Sequence, residues 1–137
     1  MPPMGFRQAK TRFHIAMMLD SHVKSLGIGE VIPLKRPEAD STGPVVCWLS
    51  NPKFALAKSA DLCVEVLSPS ETAGSIHEKV EEYFDCGVRV VWVVDPESRT
   101  VTVYESAQEG RLLHESASIT GGDVLPDFNC RVEELFP

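Results

Sequence analysis

Residues 61–83 read DLCVEVLSPSETAGSIHEKVEEY, and their periodicities decide the fold. From Asp61 to Leu67 the pattern alternates. Leu62, Val64 and Val66 fall on one face of a strand, and Asp61, Cys63, Glu65 and Leu67 on the other. Ser68-Pro69-Ser70 makes a turn. The period then becomes helical, with Ile76, Val80, Tyr83 and Phe84 as an inner face. Ser75-x-x-Glu78 has the form of a capping box, so a regular helix is expected from about Ser75. Cys86-Gly87 supplies its stop. Val88 to Val94, VRVVWVV, is apolar almost throughout, as suits a strand covered on both faces. Strand, helix and strand in this order make a crossover, which predicts a parallel pair with a right-handed connection.

The flanking sequence extends this unit in both directions. From Phe6 to Leu26, Ile15, Ala16, Leu19, Val23 and Leu26 fall within one arc at the helical period, and Gly27 and Gly29 end the helix. Val31 to Leu34 is a short strand with Pro33 favouring a sheet edge. Residues 35–43 read as a loop, Pro44 to Leu49 as a buried strand, and residues 50–60 as a loop with a helical turn. After Val94, Asp95-Pro96-Glu97-Ser98 is a turn, and Thr100 to Tyr104 alternates as the return arm of a hairpin. Residues 111–117 suggest a further strand. Gly121-Gly122 and Pro126 mark turns, and Val132 to Phe136 a short terminal helix. The order is helix, three strands, helix, three strands. The expected fold class is α/β, an α+β mixed sheet with additional C-terminal antiparallel strands, formed by residues 1–137 as a single domain.

The chain has 137 residues, 43% hydrophobic and 24% charged, enough for one core without a disulfide or metal staple. Net charge is −7. That argues against a general electrostatic grip on nucleic acid while leaving room for a local one. Cys47, Cys63, Cys86 and Cys130 form no CxxC pair and no zinc-type spacing, so they read as thiols. No apolar run approaches the length of a membrane span, and no signal segment opens the chain. A soluble cytoplasmic protein is expected, with no membrane partner.

Two side chains carry the chemistry. Glu65 is a carboxylate amid apolar strand residues, where burial without a partner is costly. It reads either as a locally paired or edge-exposed group, or as a metal ligand at the open face of a sheet. Lys79 lies about 60° from Ile76 at the helical period, flanking the apolar stripe. Its stem can run along the helix and deliver the ammonium to the sheet; the alternative is a surface lysine paired with a neighbour such as Glu82. Asp61 shares the face of Glu65 but lies roughly 13 Å along the strand, too far to share an ion. A second ligand is therefore expected from a neighbouring strand or the first helix. His14, His22, His77 and His114 have no common ligand spacing. Ser68 and Ser70 suit turn and cap roles, and Trp48 and Trp92 suit packing.

The words DLCVEVLSPS, EKVEEYFDCGVRVVWVVDPESRTVTVY and GGDVLPDF, in this order, resemble those of the "putative restriction endonuclease" family, placed in the PD-(D/E)XK nuclease superfamily. The resemblance runs from about Arg12 to Phe136. It implies a restriction-endonuclease-like αβββαβ core and an endonuclease, a hydrolase of phosphodiesters, using Mg²⁺ or Mn²⁺ on nucleic acid. Carried over, Glu65 is a catalytic residue and metal ligand. The motif lysine, absent at Leu67, corresponds to Lys79 on the following helix. The family's Pro-Asp-Val strand matches Pro44-Val45-Val46, so Val45 stands where the aspartate is expected; Glu38 and Asp40 lie in the loop before it. The family's glutamate before the first helix has no counterpart in MPPMGFRQAK. Two functions follow: a metal-dependent endonuclease with a site altered at Val45, or a catalytically inactive nuclease-fold protein serving as a binding or oligomerisation module. The acidic surface and exposed strands permit a homodimer.

Overall fold

A computed structural model of the chain describes residues 4–27, 30–34, 45–49 and 61–137. Its elements are α1 (Met4–Leu26), β1 (Glu30–Leu34), β2 (Val45–Leu49), β3 (Leu62–Val66), α2 (Ala73–Asp85), β4 (Val90–Asp95), β5 (Thr100–Ser106), β6 (Glu109–Leu113), β7 (Ser118–Gly121) and β8 (Leu125–Arg131). A 3-10 helix, Val132–Leu135, closes the chain. Six strands form one mixed sheet in the order β1-β2-β3-β4-β5-β6, and β7 and β8 form a separate two-stranded sheet. Only β3 and β4 pair in parallel within the six-stranded sheet, with Glu65 level with Val93. This is the crossover expected from the sequence.

The alternation in β3 divides the interior into two layers. Leu62, Val64 and Val66 join Trp92 and Val94 of β4 and Ile15, Leu19 and Val23 of α1 in the larger core. Cys63, Val91 and Val93 face the other way, with Val80 of α2 and the partly buried Ile76, Tyr83 and Phe84. Helix α1 therefore covers one face of the central strands and α2 the opposite face. This explains why β4 is apolar along its length.

Several expectations need correction. Helix α2 begins two residues earlier than the Ser75-Glu78 pattern suggested. Thr72 is its N-cap, Ser75 Nα–H donates to the Thr72 hydroxyl, and the Ser75 hydroxyl accepts from the Thr72 N–H. The reciprocal cap thus closes through a serine, and Glu78 takes no part in it. The helix ends as read, at Asp85, with Gly87 at φ +97°, a conformation glycine adopts without a Cβ penalty. Leu26, placed in the buried arc of α1, is 41% exposed, because the helix stops there beside Gly27. The strand read at 111–117 is β6, at Glu109–Leu113, and Pro126 lies inside β8 instead of in a turn. The separate β7–β8 pair was not expected. Cys63, Cys86 and Cys130 are free thiols. Cys47 and Trp48 lie on β2, whose side chains are outside the described residues, as are the loop readings for 35–43 and 50–60.

Replacing Thr72 with alanine is expected to cost about 1 kcal/mol, the usual price of an N-cap side chain. At this chain length that is a drop of roughly 3–5 °C in Tm, readable by circular dichroism.

Candidate functional site

The pleat of β3 sends Glu65 to the α2 side of the sheet, where the side chain is only 5% exposed. Lys79 lies two turns into α2 and is 4% exposed. Its stem runs along the buried stripe, and Nζ reaches Glu65 Oε2 at 3.4 Å. The same ammonium donates to Glu71 Oε2 at 3.0 Å. Tyr83, one turn further along α2, donates its phenolic hydroxyl to Glu65 Oε1 at 2.7 Å. The result is a buried cluster of two carboxylates, one ammonium and one phenol at the carboxyl end of β3.

Local structure explains each placement. Glu71 sits immediately before the Thr72 cap, in a turn where its N–H donates to the Ser68 carbonyl at 3.1 Å. Its Oε1 accepts from the Ser68 N–H at 3.4 Å, which ties the carboxylate to the turn. The helical period sets Lys79 and Tyr83 one turn apart on α2, so both reach the same strand position. Behind them, from the opposite layer, Gln8 of α1 is buried and donates from Nε2 to the carbonyl of Val66 at 2.7 Å.

The charge balance is uneven. Among the described residues, two carboxylates meet one ammonium away from water, and burial, the largest cause, raises the pKa of Glu65 above its ordinary value. The Tyr83 hydrogen bond and the Lys79 charge oppose that rise, while the charge of Glu71 adds to it. A buried site with surplus negative charge and oxygen donors favours a cation.

Glu65 and Lys79 are thus brought together, as the helix phase required, and Lys79 does not pair as a surface lysine. Asp61 is kept away: its carbonyl accepts from the N–H groups of Arg89 and Val90, and its carboxylate lies 3.8 Å from Arg89. Among the described residues, the carboxylate that Lys79 joins to Glu65 is Glu71, in the turn before α2, whereas a second ligand was expected from a neighbouring strand or the first helix. Sequence reasoning missed Glu71 because it began the helix at Ser75. Recognising Thr72 as the cap would have set Glu71 two turns from Lys79. It also took Tyr83 as apolar packing, overlooking the hydroxyl that a part-buried tyrosine must satisfy. On β2, the antiparallel register pairs Val46 with Val64, so the next position, toward Glu65, is Val45. Glu38 and Asp40 lie outside the described residues.

The oxygen-only donors suit a hard cation. Mg²⁺ is commonly held by one or two carboxylates with water and substrate phosphates completing the shell, and Glu65 with Glu71 supplies two. Among the described residues, no set of three His, Cys, Asp or Glu side chains converges as a metal-ligand group. Among the same residues, no helix is long and apolar enough to cross a membrane.

A family model described as "Uma2: Putative restriction endonuclease" matches residues 1–133. Among solved structures, the chain is similar to a putative nuclease belonging to DUF820 from Anabaena variabilis ATCC 29413. The TM-score is 0.76 at 16% identity, covering 99% of this chain and 82% of that one. No curated protein matches.

Proposed function

Because the chain belongs to the Uma2 family of putative restriction endonucleases, we propose that it hydrolyses phosphodiester bonds of nucleic acid at the Glu65–Glu71–Lys79 cluster with a divalent cation. The observation that carries this reading is the second buried carboxylate. Lys79 bridges Glu65 and Glu71 at 3.4 and 3.0 Å. That gives two oxygen donors beside one ammonium where the sequence alone offered a single carboxylate.

Glu65 and Glu71 would hold the Mg²⁺ or Mn²⁺ ion, and when bound it supplies Lewis-acid polarisation of the phosphate and a water of lowered pKa. The chain's own groups do the rest. Tyr83 fixes the Glu65 carboxylate through one oxygen, so the other stays oriented toward Lys79. Lys79 holds the two carboxylates together against their mutual repulsion. Its ammonium is also placed to offer an N–H to a phosphate oxygen as negative charge builds there. In the reaction, a water oxygen forms a bond to phosphorus, the bond to the leaving nucleoside oxygen breaks, and the water proton passes to solvent or to that oxygen.

One feature favours a second reading. Position 45, the next on β2 beyond the Val46–Val64 pair, is a valine, and valine offers no oxygen to a metal. On that reading the fold is retained as a binding or oligomerisation module without catalysis.

The test is hydrolysis of end-labelled DNA and RNA with Mg²⁺ or Mn²⁺, together with calorimetric titration of Mn²⁺. Cleavage is expected to stop on chelation. Glu71→Gln should weaken Mn²⁺ binding and lower the rate by roughly 10–100-fold, the range for a disturbed metal-site carboxylate. Absence of both cleavage and Mn²⁺ binding in the parent chain would leave the module reading.

A further inference from the structure

Among the described residues, helix α1 has a second face that the core does not use. Ile15, Leu19 and Val23 are fully buried, and Gln8 and Thr11 nearly so. Roughly 150° round the helix lie Phe6, Lys10, Phe13, Met17, Asp20 and Lys24, all within roughly 40° of one line at 100° per residue. Phe6 is 50%, Phe13 69% and Met17 58% exposed. Spacings of four and three residues alternate along this line. That is the repeat by which a helix presents a continuous seam to another helix.

We infer that this seam is a homodimer interface in which two α1 helices pack antiparallel about a two-fold axis near position 15. The inference is independent of the nuclease reading. Its occupant, a second copy of this chain, follows from the order of residues along the seam. A two-fold axis at 15 sets position 13 opposite 17, 10 opposite 20 and 6 opposite 24. Phe13 then meets Met17 of the other copy, an aromatic ring against a flexible thioether. Lys10 meets Asp20, an ion pair made twice by symmetry. Phe6 meets the apolar stem of Lys24. Each residue thus finds a complementary partner in the same sequence reversed, which is the requirement of an isologous contact.

The present contacts of these residues leave that exchange open. Asp20 accepts from Lys24 through Oδ2 at 3.0 Å, and a carboxylate accepts from more than one donor. Lys10 Nζ stands 5.5 Å from the Phe6 ring centroid, close to the seam. Ala9 and Ser21 flank the line and let two backbones approach. Charge also selects the direction. Arg7, Lys10 and Arg12 crowd the first half of α1, and Asp20 lies in the second with Lys24. A parallel pair would set Lys10 against Lys10, whereas the antiparallel pair sets the basic half against the half that carries Asp20. The seam is about 27 Å long at the helical rise. It lies at the smaller end of specific interfaces, so a dimer that dissociates on dilution is expected.

Sedimentation equilibrium of the full chain over about 1–200 µM, near physiological salt, tests this. The mass should rise with concentration from 15.1 kDa toward twice that value. Met17→Glu should hold the chain monomeric across the range with an unchanged circular dichroism spectrum, since the side chain points away from the core. Lys10→Glu alone and Asp20→Lys alone should each weaken dimerisation at least tenfold by facing like charges. The double variant Lys10→Glu/Asp20→Lys should recover it, because the pair is remade in reverse. A parent chain monomeric throughout would overturn the inference. So would a dimer untouched by Met17→Glu, or a double variant as weak as the single ones.

Discussion

Glu65→Gln is expected to abolish phosphodiester cleavage, a loss of about 100-fold or more because it removes a carboxylate that would hold the cation, while leaving the fold as stable as the parent at pH 7 or more so. The two effects separate because they use different properties of the side chain. Glutamine keeps an oxygen that can accept from Tyr83, so the 2.7 Å hydrogen bond survives. It removes one of two carboxylates around Lys79 and leaves a balanced Lys79–Glu71 pair at 3.0 Å. Burial raises the pKa of Glu65 in the folded chain, so ionising Glu65 costs folding free energy. A carboxyl whose folded pKa lies above its unfolded one stabilises the fold fully below the unfolded value. That stabilisation is lost as pH rises through the folded value. The Tm of Glu65→Gln minus that of the parent should therefore be near zero under acid conditions and grow as pH rises from 4.5, the ordinary value. Scanning calorimetry of both chains across that range decides the point. A variant less stable than the parent at neutral pH would make Glu65 a structural anchor, and undiminished cleavage would remove it from the site.

Lys79→Met acts in the opposite sense. Methionine keeps much of the stem volume and removes the ammonium that joins Glu65 to Glu71. Both carboxylates are about nineteen-twentieths buried, so they would face each other across a site of low polarity. Breaking a buried ion pair by removing one partner typically costs about 3–5 kcal/mol, which at this size is a Tm loss on the order of 10–15 °C. The damage should shrink on acidification, because protonating the carboxyls removes the repulsion. It should shrink also in Lys79→Met/Glu65→Gln, where only Glu71 keeps its charge. If the double variant were no more stable than Lys79→Met, the loss would come from packing and not from charge. Lys79 is thus expected to hold the fold at the site, while Glu65 is expected to weaken it for the sake of function.

Much of this architecture is legible in residue order. The alternation of Leu62, Val64 and Val66 against Cys63 and Glu65 was enough to place two layers on opposite faces of β3. The uniform apolarity of VRVVWVV marked β4 as covered on both sides. The helix phase directed Lys79 toward the sheet, and strand geometry removed Asp61. Periodicity reports such facts because each depends only on which way a side chain leaves its own element. The start of α2 was misread because either serine-headed or threonine-headed caps fit the local sequence, and only the hydrogen bonds choose between them.

What the sequence by itself determined was the family frame, the crossover and the facing of Glu65 and Lys79, since local chain stereochemistry governs them. Tertiary structure alone decided that Glu71, from a turn, joins these two and that Tyr83 turns its hydroxyl onto Glu65. It also decided that Gln8 crosses from α1 to the carbonyl of Val66. Those meetings have no period to betray them. They depend on how a turn folds back over a strand end and how two layers close on each other, and burial then obliges each polar group to find a partner there.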